Sequence, residues 1–362
     1  MRVHALEASD FRNLSQVLLE PHPRFNVFSG DNAQGKTNLL EAIYLLGTLR
    51  SFRAAKTEEL VGFGAEKARV RARVEKLGTQ RLLEVLLQPG HKSARVDGKS
   101  ARAAHYFGGF NVVLFAPEDL RLPKGSPSGR RRFLDRAIFN LHPAFLDEAQ
   151  TYERVLRSRN AVLRDGGRPD LLEVYDTQLA QAAAPLVARR RALVTALVPF
   201  VQRAFERVTQ TGLALEVSYE TSFGGEVTAE LLQRLADERR RDLLRGSTSS
   251  GPHTDDLRLV LGGHAAGSFA SQGQLRAIVL ALKIAEIEYS SQQLGDAPVL
   301  LLDDVSSELD PTRNQQLFAF LKTVPCQTFI TTTRAQHVLL EDQRADFVVR
   351  AGAIERVSVT QN

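Results

Sequence analysis

The sequence predicts an α/β fold in which a parallel sheet is assembled from both ends of the 362-residue chain, with a mostly helical lobe inserted between them. Three observations predict this fold: a glycine-rich loop between a strand pattern and a helix pattern near the start, an apolar run ending in two acids near the end, and a central segment almost free of strand patterns. The expected lobes are residues 1–122 together with 246–362, and residues 123–245 between them.

Strand and helix patterns alternate through the first third of the chain. Apolar runs bounded by turn residues indicate strands at residues 3–8, 25–29, 81–87, 92–96 and 111–115. Apolar residues at helical spacing indicate a helix over residues 38–46. A strand, a short loop and a helix are therefore expected to follow one another between residues 25 and 46.

Helical patterns replace strand patterns after the turn-forming segment 124–129. They cover residues 130–140, 144–164, 170–209 and 228–245. The third is expected to be interrupted near Pro185 and Pro199, because proline lacks the amide donor that a helix interior uses. Strand patterns return at residues 213–219, 256–261 and 298–302, and a helix pattern covers 275–287. The last third thus alternates as a parallel α/β sheet would.

The loop between the first buried strand and the first helix has the sequence Gly30-Asp31-Asn32-Ala33-Gln34-Gly35-Lys36-Thr37. It matches the phosphate-binding pattern G-x-x-x-x-G-K-[ST] in the strand–loop–helix context that this pattern requires. Glycines allow backbone amides to surround phosphate oxygens, and the helix N-terminus adds partial positive charge. We expect Lys36 to reach the β- and γ-phosphates and Thr37 to bind Mg²⁺. The expected nucleotide-binding segment extends to Asn38.

The apolar run at residues 298–302 ends in Asp303 and Asp304. A buried parallel strand has a continuous Val/Leu sequence, and α/β sheets bind ligands at the carboxyl ends of such strands. We expect Asp303 to bind Mg²⁺ opposite Thr37, and Asp304 to orient or deprotonate an attacking water. A pair of helix-capping acids at a strand end is the alternative interpretation.

The segment Ser271-Gln272-Gly273-Gln274 precedes the apolar helix pattern at residues 275–287. Ser271 is a favourable helix N-cap, so that a capped helix is the simple interpretation. A serine hydroxyl and a glycine amide at a helix N-terminus can also bind an anion. We therefore expect Ser271, Gly273 and Gln274 to contact a γ-phosphate.

Composition and charge restrict the class of protein. No stretch approaches the ~18 continuous apolar residues of a membrane span. The single cysteine, Cys326, cannot form an internal disulfide, which is typical of a reducing compartment. We expect a cytoplasmic protein without a membrane partner. The net charge of +5 permits contact with a polyanion but does not require it.

The order of the motifs resembles that of a known family. Ser-Gln-Gly-Gln is similar to the signature motif of ABC-type ATPases, and Ser307-Glu308-Leu309-Asp310 is similar to their D-loop. The further motifs are Phe11-Arg12-Asn13-Leu14, Phe115-Ala116-Pro117-Glu118-Asp119-Leu120, Arg131-Arg132-Phe133-Leu134-Asp135 and Gly251-Pro252-His253-Thr254-Asp255-Asp256-Leu257. Over about residues 1–340, the set resembles the RecF family of bacterial recombinational-repair ATPases, which is related to the SMC proteins.

The resemblance implies an ABC-type ATPase head that uses ATP and Mg²⁺. In that superfamily the signature motif of one subunit faces the ATP held by the phosphate loop of another, which implies an ATP-dependent head-to-tail homodimer. Lys36, Asp304 and Ser271 would be its catalytic residues. The resemblance further implies slow, DNA-stimulated hydrolysis, binding to double-stranded or gapped DNA, recombinase loading at single-strand gaps, and partners of the RecO and RecR type.

The chain departs from the wider ABC pattern at three positions. Gln272 replaces a common glycine, the second acid is Asp304 rather than glutamate, and Thr331-Thr332-Thr333 stands where many ABC proteins have a histidine that senses the γ-phosphate. An aspartate at the water position fits slow hydrolysis. The threonines are either phosphate contacts or β-branched strand residues. Glu118 belongs either to a glutamine-loop-like segment or to a turn.

Arginine clusters are the candidate contacts to DNA that the resemblance implies. Consecutive arginines spread around a helix, so that no single face becomes basic, and salt-bridged surface arginines are the alternative interpretation. The candidates are Arg130, Arg131, Arg132, Arg189 and Arg190. We also consider Arg50-Ser51-Phe52-Arg53, near nucleotide or DNA, and His253, as a turn residue or a functional one.

Three other functions share part of this motif set. The ATPase subunit of a membrane transporter has the same motif order, but its signature motif usually lies closer to the phosphate loop than Ser271 lies to Lys36. A small-molecule P-loop kinase would not need the Ser-Gln-Gly-Gln and D-loop-like segments. A non-catalytic DNA clamp would not need Asp303 and Asp304 beside an intact phosphate loop.

Overall fold

The computed structural model describes residues 1–54 and 56–357, which form two compact units. The first unit contains both chain ends, residues 1–121 and 272–362, of which 358–362 lie outside the described residues. The second unit contains residues 122–271. It continues past the expected end at 245, because a strand at Leu215–Glu220 pairs with a strand at Asp256–Leu261 and keeps the latter in the second unit.

Strands and helices are numbered in chain order. The strands are β1 Arg2–Phe11, β2 Leu14–Leu19, β3 Phe25–Ser29, β4 Ala68–Lys76, β5 Thr79–Gln88, β6 His91–Val96, β7 Lys99–Ser100, β8 Val112–Phe115, β9 Leu215–Glu220, β10 Asp256–Leu261, β11 His264–Ala265, β12 Val299–Asp303, β13 Thr328–Thr332, β14 Arg344–Arg350 and β15 Ala353–Arg356. The helices are α1 Lys36–Thr48, α2 Ala103–Tyr106, α3 Pro127–Leu141, α4 Phe145–Arg164, α5 Pro169–Thr209, α6 Val227–Asp237, α7 Arg239–Arg245, α8 Ala266–Phe269, α9 Gln272–Leu294, α10 Val305–Glu308 and α11 Pro311–Thr323.

A mostly parallel sheet in the first unit positions the expected site. Its strand order is β15-β14-β3-β13-β12-β8, and only β15 runs antiparallel to its neighbour. The strands from the N-terminal segment, β3 and β8, flank the pair β13 and β12 from the C-terminal segment. The carboxyl ends of β3, β13 and β12 therefore meet at one edge, where α/β sheets bind ligands.

Aromatic and aliphatic side chains fix this sheet. The ring of Phe28 on β3 stacks on Phe329 of β13 and on Phe347 of β14, with ring centroids 6.2 Å and 4.8 Å apart. Helix α1 buries Leu39, Leu40 and most of its other apolar side chains in the same core. Burial of one such side chain contributes about 1.5–3 kcal/mol. The packing of α1 against this core therefore stabilises the strand–loop–helix unit.

A second sheet of the first unit is antiparallel, with the order β2-β1-β4-β5-β6-β7. Its strands alternate between buried apolar and exposed polar residues, as on β4, where Val70, Ala72 and Val74 are buried and Arg73 is exposed. The buried face joins the core that contains α1. The turn between β1 and β2, at Arg12 and Asn13, contacts the glycine loop through the side chain of Asn13.

The second unit consists of helices α3 to α8 and a small antiparallel sheet with the order β11-β10-β9. Helix α5 runs without interruption from Pro169 to Thr209, so that the expected breaks at Pro185 and Pro199 are wrong. Each proline removes one hydrogen bond. The buried apolar face of α5, which includes Leu179, Leu186 and Leu193, compensates for this loss.

A polar cluster is buried in the second unit. The guanidinium of Arg159 on α4 is fully buried and donates to Asp176 of α5 at 2.6 Å and to Asp242 of α7 at 2.8 Å. The same guanidinium donates to the hydroxyl of Thr248 at 2.8 Å. Arg159 thus joins its own helix, α4, to α5, to α7 and to the loop at Thr248.

No helix of the described residues is long and apolar enough to cross a membrane.

Candidate nucleotide site

The glycine loop lies between the carboxyl end of β3 and the start of α1, as the sequence predicts. Gly35 has φ 113°, and a Cβ there would lie 2.7 Å from the Asn13 side-chain oxygen, so that only glycine fits. Asp31, Asn32 and Ala33 are exposed at the tip of the loop. The backbone of this loop is therefore open to a ligand on one side and supported by the β1–β2 turn on the other.

Lys36 is folded into the loop. It is only 7% exposed, and its Nζ donates to the carbonyl oxygens of Gly30 and Asp31, each at 2.7 Å. Burial lowers the pKa of the Lys36 ammonium, and the negative charges of Asp304, Asp303 and Asp31 oppose this effect. A desolvated ammonium that interacts with weak carbonyl acceptors would gain strongly from the arrival of phosphate oxygens.

Thr37 and Asp303 are adjacent, as the sequence predicts. The hydroxyl of Thr37 donates to Oδ1 of Asp303 at 2.8 Å. Asp303 ends β12 and is paired in register with Thr331 of β13, which lies between β12 and β3. The Thr331 hydroxyl donates to the same Oδ1 at 2.8 Å. Thr331 is thus a partner of the predicted metal-binding carboxylate and is fully buried.

The Asp303 carboxylate is in an unfavourable position without a cation. Burial raises the pKa of Asp303, and the nearby charge of Asp304 raises it further. The hydrogen bonds from Thr331 and Thr37 and the charge of Arg53 act in the opposite direction. The ionised Asp303 carboxylate therefore raises the free energy of the site, and a bound divalent cation would lower it.

Asp304 has a strained backbone, and one of its carboxylate oxygens has no partner among the described residues. Its φ is 48°, in the left-handed region, and its amide donates to the Thr331 carbonyl at 3.1 Å and the Thr331 hydroxyl at 3.0 Å. Oδ1 of Asp304 is buried and accepts no hydrogen bond from the residues that the structure describes. Strain and a buried orphan acceptor at one residue are typical of functional sites.

Asn13, from the β1–β2 turn, holds the outer side of the phosphate loop. Its amide donates to the Gln34 carbonyl at 3.1 Å, and its oxygen accepts from Asn38 at 2.8 Å. The Asn38 oxygen in turn accepts from Arg53 at 3.0 Å. Arg53, which the sequence places near nucleotide or DNA, therefore lies beside the start of α1.

A second turn supports the loop from another side. The backbone amides of Ala351 and Gly352 donate to the side chain and the carbonyl of Gln34, at 2.6 Å and 2.8 Å. Gly352 is required there because a Cβ would clash with the backbone of Asn13. This turn between β14 and β15 carries no sequence motif, so only the structure identifies it as part of the site.

Arg12 and Glu41 form an ion pair that joins the β1–β2 turn to α1. Glu41 is fully buried and accepts two hydrogen bonds from Arg12, both at 3.0 Å, and one from the hydroxyl of Ser51. A bidentate pair of this kind fixes both partners in orientation as well as distance. The motif residue Arg12 therefore anchors the β1–β2 turn that carries Asn13.

The signature-like segment crosses the boundary between the two units. Ser271 is the last residue of the second unit, and Gln272, Gly273 and Gln274 begin α9 in the first. Farther along α9, the buried ammonium of Lys283 donates to Glu286 at 3.1 Å and to the Leu114 carbonyl at 2.8 Å.

The segment after β8 is a capped turn. Its Asp119 accepts from the Ala116 amide at 3.1 Å and pairs with Lys283 at 3.4 Å, whereas Glu118 is exposed. Of the two acids in this motif, Asp119 therefore stabilises the turn and Glu118 does not.

Most of the arginines that were candidate DNA contacts are occupied within the second unit. Arg190 is 5% exposed and is held by Asp135 at 2.8 Å and 2.9 Å, which favours a structural role over the predicted DNA contact. Arg130 forms a bidentate pair with Asp256, Arg189 forms one with Glu148, and Arg131 donates to the Asp255 carbonyl. Arg132 is exposed and keeps its predicted role as a candidate contact.

His253 has a structural role. Its Nε2 lies 3.1 Å from the Thr248 carbonyl, which can only accept, so Nε2 carries the proton and Nδ1 accepts from the Tyr152 hydroxyl at 2.6 Å. Burial lowers the pKa of His253 and keeps the ring neutral. Two of the family-like motifs, at residues 131–135 and 251–257, therefore build one polar core in the second unit.

The residues present fit a bound Mg²⁺. No group of three or more His, Cys, Asp or Glu side chains suited to a metal occurs in the described ranges. Mg²⁺ bound to nucleotides commonly uses one or two protein oxygens, with phosphate and water completing the octahedron. The Thr37 hydroxyl and the Asp303 carboxylate supply such a pair.

We predict that Asp303→Asn stabilises the nucleotide-free protein at neutral pH while it eliminates Mg²⁺-dependent activity. The raised pKa of Asp303 means that its ionised form disfavours the folded state above that pKa, a cost that disappears as pH falls through it. Asparagine keeps an acceptor for Thr37 and Thr331, so we expect a gain on the order of 1 kcal/mol in unfolding free energy. Urea unfolding measures it, and Asp303→Ala, which leaves both hydroxyls without that acceptor, is the control. A stability loss in Asp303→Asn equal to that of the alanine variant would contradict the electrostatic account.

Comparisons with known proteins identify the family of this chain. The family model RecF/RecN/SMC N terminal domain matches residues 2–354. The chain is 49% identical to the DNA replication and repair protein RecF of Anaeromyxobacter sp. (strain Fw109-5) and 46% identical to that of Myxococcus xanthus (strain DK1622). These matches cover 92% of this chain, and 92% and 91% of the two relatives.

Solved structures give the same result. The recombination mediator protein RecF of the RecFOR pathway, solved with ATPrS and with ATP, matches with TM-scores of 0.90 and 0.88 at 32% identity, over 99% and 98% of this chain and 98% and 97% of those chains. An Smc head bound to a ScpA domain matches with a TM-score of 0.58 at 16% identity, over 99% of this chain and 98% of that one, which shows a shared fold. The predicted α/β fold of an ABC-type ATPase head is confirmed. The chain belongs to the RecF family of DNA replication and repair proteins.

Proposed function

We propose that this protein binds ATP with Mg²⁺ at the loop 30–38, hydrolyses it slowly, and binds DNA as a head-to-tail dimer that ATP closes. The observation that carries the proposal is the contact between Thr37 and Asp303 beside the unpartnered carboxylate oxygen of Asp304. The relatives with solved structures carry ATP or ATPrS, which supports the choice of nucleotide.

Binding would begin with an exchange of partners at Lys36. Its Nζ would leave the carbonyls of Gly30 and Asp31 for the β- and γ-phosphates, where charge-assisted hydrogen bonds are stronger than those to neutral carbonyls. Backbone amides of the loop and the N-terminus of α1 would surround the phosphates. The network of Asn13, Gln34 and Asn38 keeps the loop in place, so that little ordering is required on binding.

Bound Mg²⁺ would neutralise phosphate charge and hold the phosphates in orientation. The residues that would hold it are Thr37 and Asp303, with Thr331 fixing the Asp303 carboxylate through its own hydrogen bond. Asp304, at the next position, would accept a hydrogen bond from the attacking water and orient or deprotonate it. Its unpartnered Oδ1 is available for that contact.

The site of one protomer would be completed by the partner protomer. Ser271, Gly273 and Gln274 would contact the γ-phosphate of the partner's ATP through the hydroxyl, the amide and the start of α9. Two such contacts would close the dimer, and hydrolysis would remove the γ-phosphate and open it. Nucleotide state would then set the lifetime of the complex on DNA.

DNA binding would use phosphate contacts, so it should weaken steeply with salt and depend little on sequence. Arg132 remains the candidate contact among the predicted arginines. Partners of the RecO and RecR type, recombinase loading at single-strand gaps, DNA-stimulated turnover and a cytoplasmic location belong to this proposal. The relatives are replication and repair proteins, so the transporter alternative is not retained.

We predict that Asp304→Asn keeps ATP binding but lowers turnover by about 10²–10⁴-fold, the range for loss of a general base. The variant should therefore stay closed on gapped duplex DNA after ATP is added. Phosphate release and fluorescence anisotropy of labelled DNA, titrated with salt in ATP, ADP or no nucleotide, measure both effects.

Asp342→Asn is the matched control, because Asp342 is an exposed acid of the same unit and loses the same charge. It should behave as the unmodified protein does. Unchanged turnover in Asp304→Asn would place the base elsewhere, and DNA affinity equal in all three nucleotide conditions would contradict the ATP-closed clamp.

A further inference from the structure

The first turns of α9 and α11 meet at Gly273 and Arg313. A Cβ built on Gly273 would lie 3.3 Å from Nη2, 3.4 Å from Cζ and 3.6 Å from Nη1 of Arg313. Three guanidinium atoms at nearly equal distances mean that the flat face of the group lies against the glycine. A larger residue at position 273 would push this face away, since 3.3 Å is already a tight contact for a Cβ.

The same guanidinium is anchored to the end of the D-loop-like segment. Its Nη1 lies 3.1 Å from each carboxylate oxygen of Asp310. Asp310 also caps α11 by accepting from the Arg313 amide at 3.2 Å. Burial alone would raise the pKa of Asp310, but its hydrogen bonds and charge interaction with Arg313 lower it overall. Arg313 therefore links residue 310 to residue 273 through one rigid group.

Helix stability does not explain this position of a cation. A positive charge near a helix N-terminus is disfavoured by the helix dipole, and Arg313 lies at the first turns of both α9 and α11. Its Nε is buried and donates to no acceptor among the described residues. The Nε donor of Arg313 thus has no partner among the described residues while the flat face of the guanidinium lies against Gly273.

We propose that Arg313 is a positioning residue that holds the start of α9 against the segment 305–310, so that both segments meet the second protomer as one surface. The inference rests on the proposed ATP-closed dimer, in which the start of α9 faces the partner's nucleotide. Arginine suits this role because its planar group can stack and pair at the same time, whereas lysine can only pair. Glycine at position 273 is the complement that admits the flat group.

The test compares Arg313→Gln with Lys322→Gln, which removes an exposed positive charge from the last turn of the same helix. Arg313→Gln should bind a fluorescent ATP analogue with the affinity of the unmodified protein and should need about tenfold more protein to dimerise in ATP, a typical coupling for residues in contact. Lys322→Gln should change neither quantity. Sedimentation velocity in ATP measures dimerisation, and thermal unfolding checks the fold.

Arg313→Lys and Asp310→Asn keep the test decisive if the glutamine variant folds poorly. Arg313→Lys should support only part of the dimerisation of the unmodified protein, and Asp310→Asn, which weakens the anchor of the guanidinium, should reduce dimerisation on its own. Full dimerisation by both Arg313 variants, beside a normal ATP-dependent dimer of the unmodified protein, would overturn this inference alone. An unmodified protein that stays monomeric in ATP would overturn the proposed dimer and this inference with it.

Discussion

Lys36→Arg is expected to lower ATP turnover and ATP-dependent dimerisation strongly and to leave the fold intact. Lys36 is almost fully buried, and its ammonium fits between two carbonyl oxygens at 2.7 Å. A planar guanidinium, which is larger than an ammonium, cannot occupy that position or present a compact charge to two phosphates. We expect turnover to fall by about 10²–10³-fold, the range for loss of one electrostatic contact to developing charge. ATP-dependent dimerisation should weaken in parallel.

Nucleotide titration, phosphate release and sedimentation measure the three effects on one preparation. Lys322→Arg is the matched control, since it makes the same chemical change on an exposed helix surface and should behave normally. A Lys36→Arg protein with turnover within about threefold of the unmodified protein would mean that the loop 30–38 does not hold the reacting phosphates.

Arg159→Leu is expected to be the most destabilising of the changes considered. The guanidinium is fully buried between Asp176 and Asp242, which are 4% and 0% exposed. Its removal leaves two carboxylates without their main cation in a low-dielectric interior. Breaking a buried pair in this way costs about 3–5 kcal/mol, a large part of the 5–15 kcal/mol that usually holds a native protein together.

Chemical denaturation of the full chain measures this loss. Arg168→Leu is the control, because Arg168 and its partner Asp170 are both exposed, so that water screens their pair and its loss should change stability little. Asp242→Asn placed in the Arg159→Leu background should recover part of the stability, because it removes one buried charge. A loss below ~1 kcal/mol in Arg159→Leu would show that the cluster is solvated in solution.

The nucleotide site could be predicted from the sequence because its main parts are local. The glycine loop specifies its own turn between a strand and a helix, and an apolar run that ends in acids specifies a buried strand with its carboxyl end at a ligand edge. The contact between Thr37 and Asp303 follows once these two strands lie in one sheet with β13 between them.

The supporting contacts could not be predicted, because they join segments far apart in the chain. Gln34 accepts from Ala351, 317 residues away, and the turn that supplies this amide has no motif. The sequence allows two roles for Thr331, since only the register of β13 with β12 shows that its hydroxyl reaches Asp303.

The arginine clusters illustrate the same difficulty. Arg190 pairs with Asp135, 55 residues away, and Arg130 pairs with Asp256, 126 residues away. A run of basic residues does not reveal acids that the fold brings to it. The sequence predicts breaks at the prolines of α5 that the structure does not show, for a related reason. The burial that outweighs two lost hydrogen bonds comes from tertiary packing.

We propose that Ser271 of one protomer completes the ATP site of another, and sedimentation velocity of the unmodified protein and of Ser271→Arg, each in ATP, ADP and no nucleotide, examines this contact. We expect the unmodified protein to dimerise only in ATP, and Ser271→Arg to bind ATP equally well but to sediment as a monomer throughout. A Ser271→Arg protein that dimerises normally in ATP would show that residue 271 does not contact the nucleotide of the partner.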